Sequence, residues 1–168
     1  MSSWNKIFKP IVVLCAICIV ITGALAATNS VTKPVIDEAT ARAQNEARNE
    51  LLPEAEGGFT KVDGIDVENV DDVYAADNGT GWVITSNAKG YGGTITVMSA
   101  FTPDGAIKQI KVTEAQETPG FGSKVTATPS YWERYMNQDI DAESGATISS
   151  KALLRAVNSA IEAYNAIP

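Results

Sequence analysis

Residues 81–112 read GWVITSNAKGYGGTITVMSAFTPDGAIKQIKV. Three runs within them are rich in β-branched and aromatic residues: Trp82-Val83-Ile84-Thr85, Thr94-Ile95-Thr96-Val97-Met98, and Ile107 to Val112. Such side chains suit a pleated, half-buried surface. Lys89-Gly90-Tyr91-Gly92-Gly93 separates the first two runs, and Pro103-Asp104-Gly105 supplies a turn between the last two. The stretch predicts an antiparallel meander, the sheet of an α+β fold with packed helices.

Beyond the third strand lies a second glycine-rich loop, Glu117-Thr118-Pro119-Gly120-Phe121-Gly122. It falls at the same end of the sheet as the Gly90–Gly93 loop, and two such loops together admit a flat ligand. Ser130-Tyr131-Trp132-Glu133-Arg134-Tyr135-Met136 follows Pro129 and reads as a short helix capped by Ser130. Its three aromatics either fill the core or stack on a bound ring.

The C-terminal segment opens with Asp141-Ala142-Glu143-Ser144-Gly145-Ala146-Thr147-Ile148-Ser149-Ser150. From there Leu153, Leu154, Val157, Ala160, Ile161 and Tyr164 recur at helical spacing, with Lys151, Arg155, Asn158 and Glu162 on the other face. The helix is expected to start near Ser149 or Ser150. Two readings of that start stand side by side. Its hydroxyls cap the first-turn N–H groups, or those N–H groups and the helix dipole receive a phosphate, with Gly145 and Ala146 allowing close approach.

Toward the N-terminus the pattern thins. Between Glu54 and Asp72 acids outnumber the single Lys61 and Gly57-Gly58 interrupts any periodicity, which predicts a surface loop with short strands. Ile36, Ala39, Ala43, Ala47 and Leu51 form a narrow apolar stripe at helical spacing, closed by Pro53. This predicts a juxtamembrane helix or linker over 28–53, packed on the domain or on a partner subunit. Residues 11–27 carry no charge, just enough for a membrane helix. Lys6 and Lys9 flank that run and no acid precedes Asp37, so the positive-inside rule puts residues 1–10 in the cytoplasm and the domain at 54–168 outside. Ala24-Leu25-Ala26 has the form of a signal-peptidase site, which leaves a cleaved signal as the alternative; both readings export the domain.

Composition removes several function classes. The chain has 168 residues, 45% of them hydrophobic and 20% charged, enough for one domain and an appendage. Histidine is absent, which excludes Ser-His-Asp and Cys-His hydrolases. Cys15 and Cys18 both lie in the apolar run, so the soluble part has neither a disulfide nor a thiolate metal site. Setting Lys6 and Lys9 aside leaves 11 basic residues against 20 acidic ones, a net charge of −9 after the apolar run, which argues against nucleic acid. Redox work in such a chain falls to a bound organic cofactor.

SGATISS at 144–150, the GYGG loop at 90–93 and the ETPG-F-G loop at 117–122 resemble, in the same order, the motifs of the FMN-binding domain family. The resemblance covers roughly Gly81 to Tyr164 and includes the upstream Asp141; Phe121 stands where leucine is usual. It implies FMN held covalently through a phosphoester to Thr147. Ser144, Gly145, Ala146, Ser149, Gly90, Tyr91, Gly92, Glu117, Thr118 and Gly120 would form the rest of the cofactor site. No catalytic residue and no metal ligand is implied. Threonine is a poor nucleophile and no base stands ready in the sequence to activate it, so attachment falls to a separate flavin transferase, as the family implies.

Within that family, a short chain with one membrane helix and an exported domain is most similar to the G subunits of Rnf complexes, the ion-translocating ferredoxin:NAD oxidoreductases. The C subunits of the sodium-pumping NADH:quinone oxidoreductase come next, and are longer. The resemblance implies an electron-transfer subunit working with other membrane and redox subunits, not an enzyme complete in itself. An anchored binding module whose SGATISS merely caps a helix is the competing reading from another class.

Overall fold

A computed structural model describes residues 8–56, 58–136 and 142–168. Lys6, Gly57 and Asp141, which entered the sequence reading, lie outside the described residues. The chain divides into two compact units, Met1–Ala43 and Gln44–Pro168.

Helix α1, Lys9–Leu51, supplies the described part of the first unit and the opening of the second. Its N-terminal portion contains a window of mean hydropathy 2.7, long and apolar enough to cross a membrane. There Leu14, Ile19, Val20 and Leu25 are all exposed. Bare apolar surface of that extent requires lipid or protein around it. The hydroxyls that follow bond back to the helix: Thr28 Oγ1 donates to the Ala24 carbonyl at 2.9 Å, Ser30 Oγ to Ala27 at 2.8 Å and Thr32 Oγ1 to Thr28 at 2.9 Å. Pro34 sits within the same continuous helix.

The second unit is built on a five-stranded antiparallel sheet in the order β1-β2-β3-β4-β5: Phe59–Lys61, Val70–Ala76, Trp82–Lys89, Thr94–Phe101 and Ile107–Ala115. The meander expected from residues 81–112 is its centre. Gly105, at φ +85°, turns β4 into β5, and its N–H donates to the Thr102 carbonyl at 2.9 Å. Strand β2 was not marked by its sequence, VDDVYAA, because Asp71 and Asp72 mask its period; only Val73 and Ala76 are buried in it.

Both faces of the central strands are covered. On one, Val83, Met98 and Ala100 pack with Ala47, Leu51 and Leu52 from the end of α1 and just past it. On the other, Ile84, Val97 and Phe101 lie under α4, Thr147–Asn165, which contributes Leu153, Val157, Ala160 and Ala163. Each fully buried leucine or valine there contributes on the order of 2 kcal/mol. Tyr164 locks the far end of α4 to the sheet: its ring stacks on Phe101 at 5.1 Å and its hydroxyl donates to the Pro103 carbonyl at 3.1 Å. The apolar stripe read from Ala47 and Leu51 is thus a domain contact, whereas Ile36 is exposed.

Two short helices, α2 (Gly122–Thr126) and α3 (Pro129–Met136), fill the stretch after β5. Ser130, expected from sequence to cap α3, does not do so: it is the second helical residue, and Pro129 takes the first position, where its missing N–H costs nothing. Tyr135 is buried, and half-buried Trp132 donates from Nε1 to the Val125 carbonyl at 3.1 Å. Both belong to the core cluster with Val97 and Leu153.

Candidate functional site

The site is assembled where three chain reversals meet at one end of the sheet. Between β3 and β4, Gly90 N–H donates to the Gly93 carbonyl at 2.8 Å, closing a tight loop that leaves Tyr91 72% exposed. After β5, Pro119 and Gly120 form a turn in which Phe121 N–H donates to the Thr118 carbonyl at 3.2 Å, and Gly120 adopts φ +82°. Before α4, Ala146 N–H donates to the Glu143 carbonyl at 3.0 Å with Gly145 at φ +82°. Each reversal requires left-handed backbone or close approach, which is why glycine recurs at this end.

Helix α4 begins at Thr147, two to three residues earlier than expected, and Ala146 precedes it with no side-chain cap hydrogen bond. The capping reading of Ser149 and Ser150 therefore fails: both are buried inside the first turn. Ser150 Oγ donates to the Ala146 carbonyl at 2.9 Å and accepts Glu143 N–H at 3.2 Å. Ser149 Oγ donates to Glu117 Oε2 at 2.8 Å. Among the described residues the amides of Thr147, Ile148 and Ser149 have no partner within the helix and no side chain capping them, whereas Ser150 N–H already donates to the Ala146 carbonyl at 2.9 Å; three free amides at a helix start are the arrangement that receives an anion.

These elements enclose an open pocket of about 510 Å³ lined by Tyr91, Glu117, Thr118, Phe121, Gly122, Gly145, Ala146, Thr147, Ile148 and Ser149. Seven of the residues singled out in sequence are thereby brought together: Tyr91, Glu117, Thr118, Gly145, Ala146, Thr147 and Ser149. Ser144 is exposed on the turn before α4 and does not line the pocket. Gly90, Gly92 and Gly120 belong to the same loops but do not line the pocket; the backbone oxygen of Gln116 occupies the space a Cβ on Gly92 would need. The aromatics of α3 take no part.

Sequence reasoning quoted Gly122 and Ile148 within their motifs but named neither as a site residue, and noted Phe121 only as a departure from leucine. Ile148 is 52% exposed and Phe121 58%. With Tyr91 they give the pocket an apolar rim around exposed Thr147. Ile148 carried a legible signal, an isoleucine outside the apolar stripe of α4. Among the described residues Glu117 is the one ionisable carboxylate on the lining, and no described lysine or arginine lines it. Its Oε1 accepts Tyr91 N–H at 3.0 Å and Gly92 N–H at 3.3 Å.

Residues 90–162 match the FMN-binding domain family, and residues 1–51 match the RnfG N-terminal region. The chain is 31% identical to the G subunit of the proton-translocating ferredoxin:NAD(+) oxidoreductase complex of Clostridium ljungdahlii, over 94% of this chain and 91% of that one. It is 31% identical to the G subunit of the Na(+)-translocating ferredoxin:NAD(+) oxidoreductase complex of Acetobacterium woodii, over 96% and 93%. The G subunit of the ion-translocating oxidoreductase complex of Methanosarcina acetivorans is 30% identical over 99% and 98%. Matched nearly end to end by these proteins, and with the glycine loops and helix start of its α+β domain at one sheet end, the chain belongs to the RnfG family of complex G subunits and carries the FMN-binding domain at 90–162.

Proposed function

We propose that this chain is the FMN-carrying electron-transfer subunit of a membrane-bound, ion-translocating ferredoxin:NAD oxidoreductase complex, with the FMN phosphate esterified to Thr147. The observation that carries the reading is the placement of Thr147: exposed, first in an uncapped helix, and opening on an apolar-rimmed pocket. The residues present fit the group. The first-turn amides of α4 suit a phosphodiester, while Tyr91, Phe121 and Ile148 offer apolar surface to a flat ring system. Bound FMN would supply one- and two-electron transfer.

The chain's own part is placement. Thr147 Oγ1 provides the ester oxygen, and the tether keeps the cofactor in an exported domain. Glu117, the only carboxylate lining the pocket among the described residues, is already engaged with Tyr91, Gly92 and Ser149. A separate flavin transferase therefore performs the attachment. The organisation proposed with it is a cytoplasmic segment at 1–10, a membrane span at 11–27, a juxtamembrane helix and linker at 28–53, and an extracytoplasmic FMN-binding domain at 54–168. Other subunits of the complex exchange electrons with it.

Co-expression with a flavin transferase, intact mass and in-gel fluorescence after denaturation test this. The expected mass gain is FMN less one water, mapped to the peptide holding Thr147 and abolished in a folded Thr147→Ala variant. Covalent flavin retained by that variant would overturn the attachment site. Unmodified wild-type protein would overturn the flavin assignment.

A further inference from the structure

Glu117 is the point at which the three reversals of the site are tied together. Its backbone belongs to the loop after β5. One carboxylate oxygen takes the N–H groups of Tyr91 and Gly92 from the β3–β4 loop, at 3.0 and 3.3 Å, and the other takes the hydroxyl of Ser149 from α4, at 2.8 Å. A carboxylate accepts only, and all three neighbours donate, so the match is complete in polarity. The surrounding backbone is kept bare to admit it. A Cβ on Gly90 would overlap Glu117 Oε1, and one on Gly122 would overlap Oε2 and come within 2.9 Å of the Glu117 Cβ. Two glycines that look like loop punctuation are thus the socket of one side chain.

We propose that Glu117 is a positioning residue: it clamps the Tyr91 loop and the first turn of α4 to the loop after β5. Tyr91, Phe121 and Thr147 then open on the same pocket. This rests on the flavin reading above, but it assigns Glu117 a different role from the cofactor contact expected of it in sequence. Its oxygens point at protein donors, and its effect on the cofactor passes through Tyr91 and Ser149.

The test compares Glu117→Ala, Glu117→Gln, Ser149→Ala and the Ala/Ala double variant in the full chain. Amide hydrogen exchange is measured on flavin-free protein, and the initial rate of covalent flavin attachment by a co-purified transferase is followed by mass. Glu117→Ala is expected to speed exchange at Tyr91 and Gly92 by about tenfold or more, because each loses a hydrogen bond to a charged acceptor, while core amides such as those of Val97 and Leu153 keep wild-type rates. Attachment slows in the same variant. Glutamine restores both readouts, since its oxygen accepts from the loop and its amide donates to Ser149.

Ser149→Ala leaves the loop amides protected and slows attachment, yet adds nothing in the Glu117→Ala background, as expected for two groups acting through one contact. Wild-type exchange at Tyr91 and Gly92 in Glu117→Ala would overturn the clamp. So would a glutamine variant as defective as alanine, or losses that multiply in the double variant. Should Glu117→Ala fail to fold, exchange at Tyr91 and Gly92 in Glu117→Gln about tenfold faster than wild type, or wild-type attachment in Ser149→Ala, would overturn the clamp. Wild-type protein that accepts no flavin defeats the flavin reading instead, and leaves the exchange arm to judge the clamp.

Discussion

Replacing Gly122 by alanine sets two effects of opposite sign against each other. Gly122 is the first residue of α2 and has no left-handed φ. Helix propensity alone therefore favours alanine, by up to about 1 kcal/mol. The new Cβ, however, would overlap Glu117 Oε2 and sit 2.8 Å from Ser149 Oγ and 2.9 Å from Glu117 Cβ. Rotating the carboxylate away relieves the first contact but not the last, because the Glu117 Cβ moves only with its backbone. The Ser149–Glu117 hydrogen bond is then lost or stretched, at a cost of roughly 1.5–3 kcal/mol for a bond to a charged acceptor.

The net expectation for Gly122→Ala is destabilisation by about 1–2 kcal/mol, a fall in Tm of roughly 4–8 °C for a unit of this size. Thermal unfolding followed by near-UV circular dichroism, on protein without flavin so that cofactor binding does not contribute, measures it directly. A Tm equal to or above wild type would refute the steric reasoning and leave helix propensity as the larger effect.

Arg48 is buried, with Nε and Nη1 lacking hydrogen-bond partners among the described residues, its guanidinium 3.9 Å from the Tyr74 ring centroid and Nη2 donating to Asn45 Oδ1 at 2.7 Å. Arg48→Met should leave urea stability unchanged or raise it by up to about 2 kcal/mol, and a loss beyond about 2 kcal/mol would show that the ring contact outweighs desolvation. Burial pushes the Tyr135 hydroxyl above its ordinary value, partly offset by a hydrogen bond with Ser150 and by Arg134. The folded state thus resists ionisation more than the unfolded one, so this contribution is intact below about pH 10 and is lost as pH rises above it. Tyr135→Phe should flatten the decline in urea midpoint between roughly pH 9 and 11 relative to wild type, and parallel declines would refute that origin. For topology, protease added outside intact cells is expected to digest the domain after α1 and spare the N-terminal segment, whereas a protected domain would reverse the orientation proposed from Lys6 and Lys9.

Much of the fold was legible because its signals are local. The strands at 82–89, 94–101 and 107–115 announce themselves by β-branched runs between glycine and proline turns, and α4 by its apolar period. Strand β2 was not legible, since Asp71 and Asp72 mask its alternation and its pairing with β3 is a tertiary fact. The start of α4 was misjudged for a related reason. Ser149 and Ser150 have capping chemistry, yet here their hydroxyls answer partners 32 and 4 residues away in sequence.

For the candidate site, glycine at a reversal expresses backbone chemistry within a few residues, so the two loops were legible as turns, while Thr147 was singled out by the resemblance of SGATISS to a family motif and not by residue type, which left capping and phosphate binding both open. Which of those residues face one another was decided by the sheet. It brings the loops after β3 and β5 beside the start of α4, leaves Ser144 off the lining, adds Ile148 and Gly122, and sends Trp132 and Tyr135 of α3 into the core. The role of Glu117 depends wholly on that convergence: a glutamate after a strand is commonplace in sequence, and becomes a clamp only where donors from residues 91, 92 and 149 meet its two oxygens, since hydrogen bonding depends on distance in space and not along the chain.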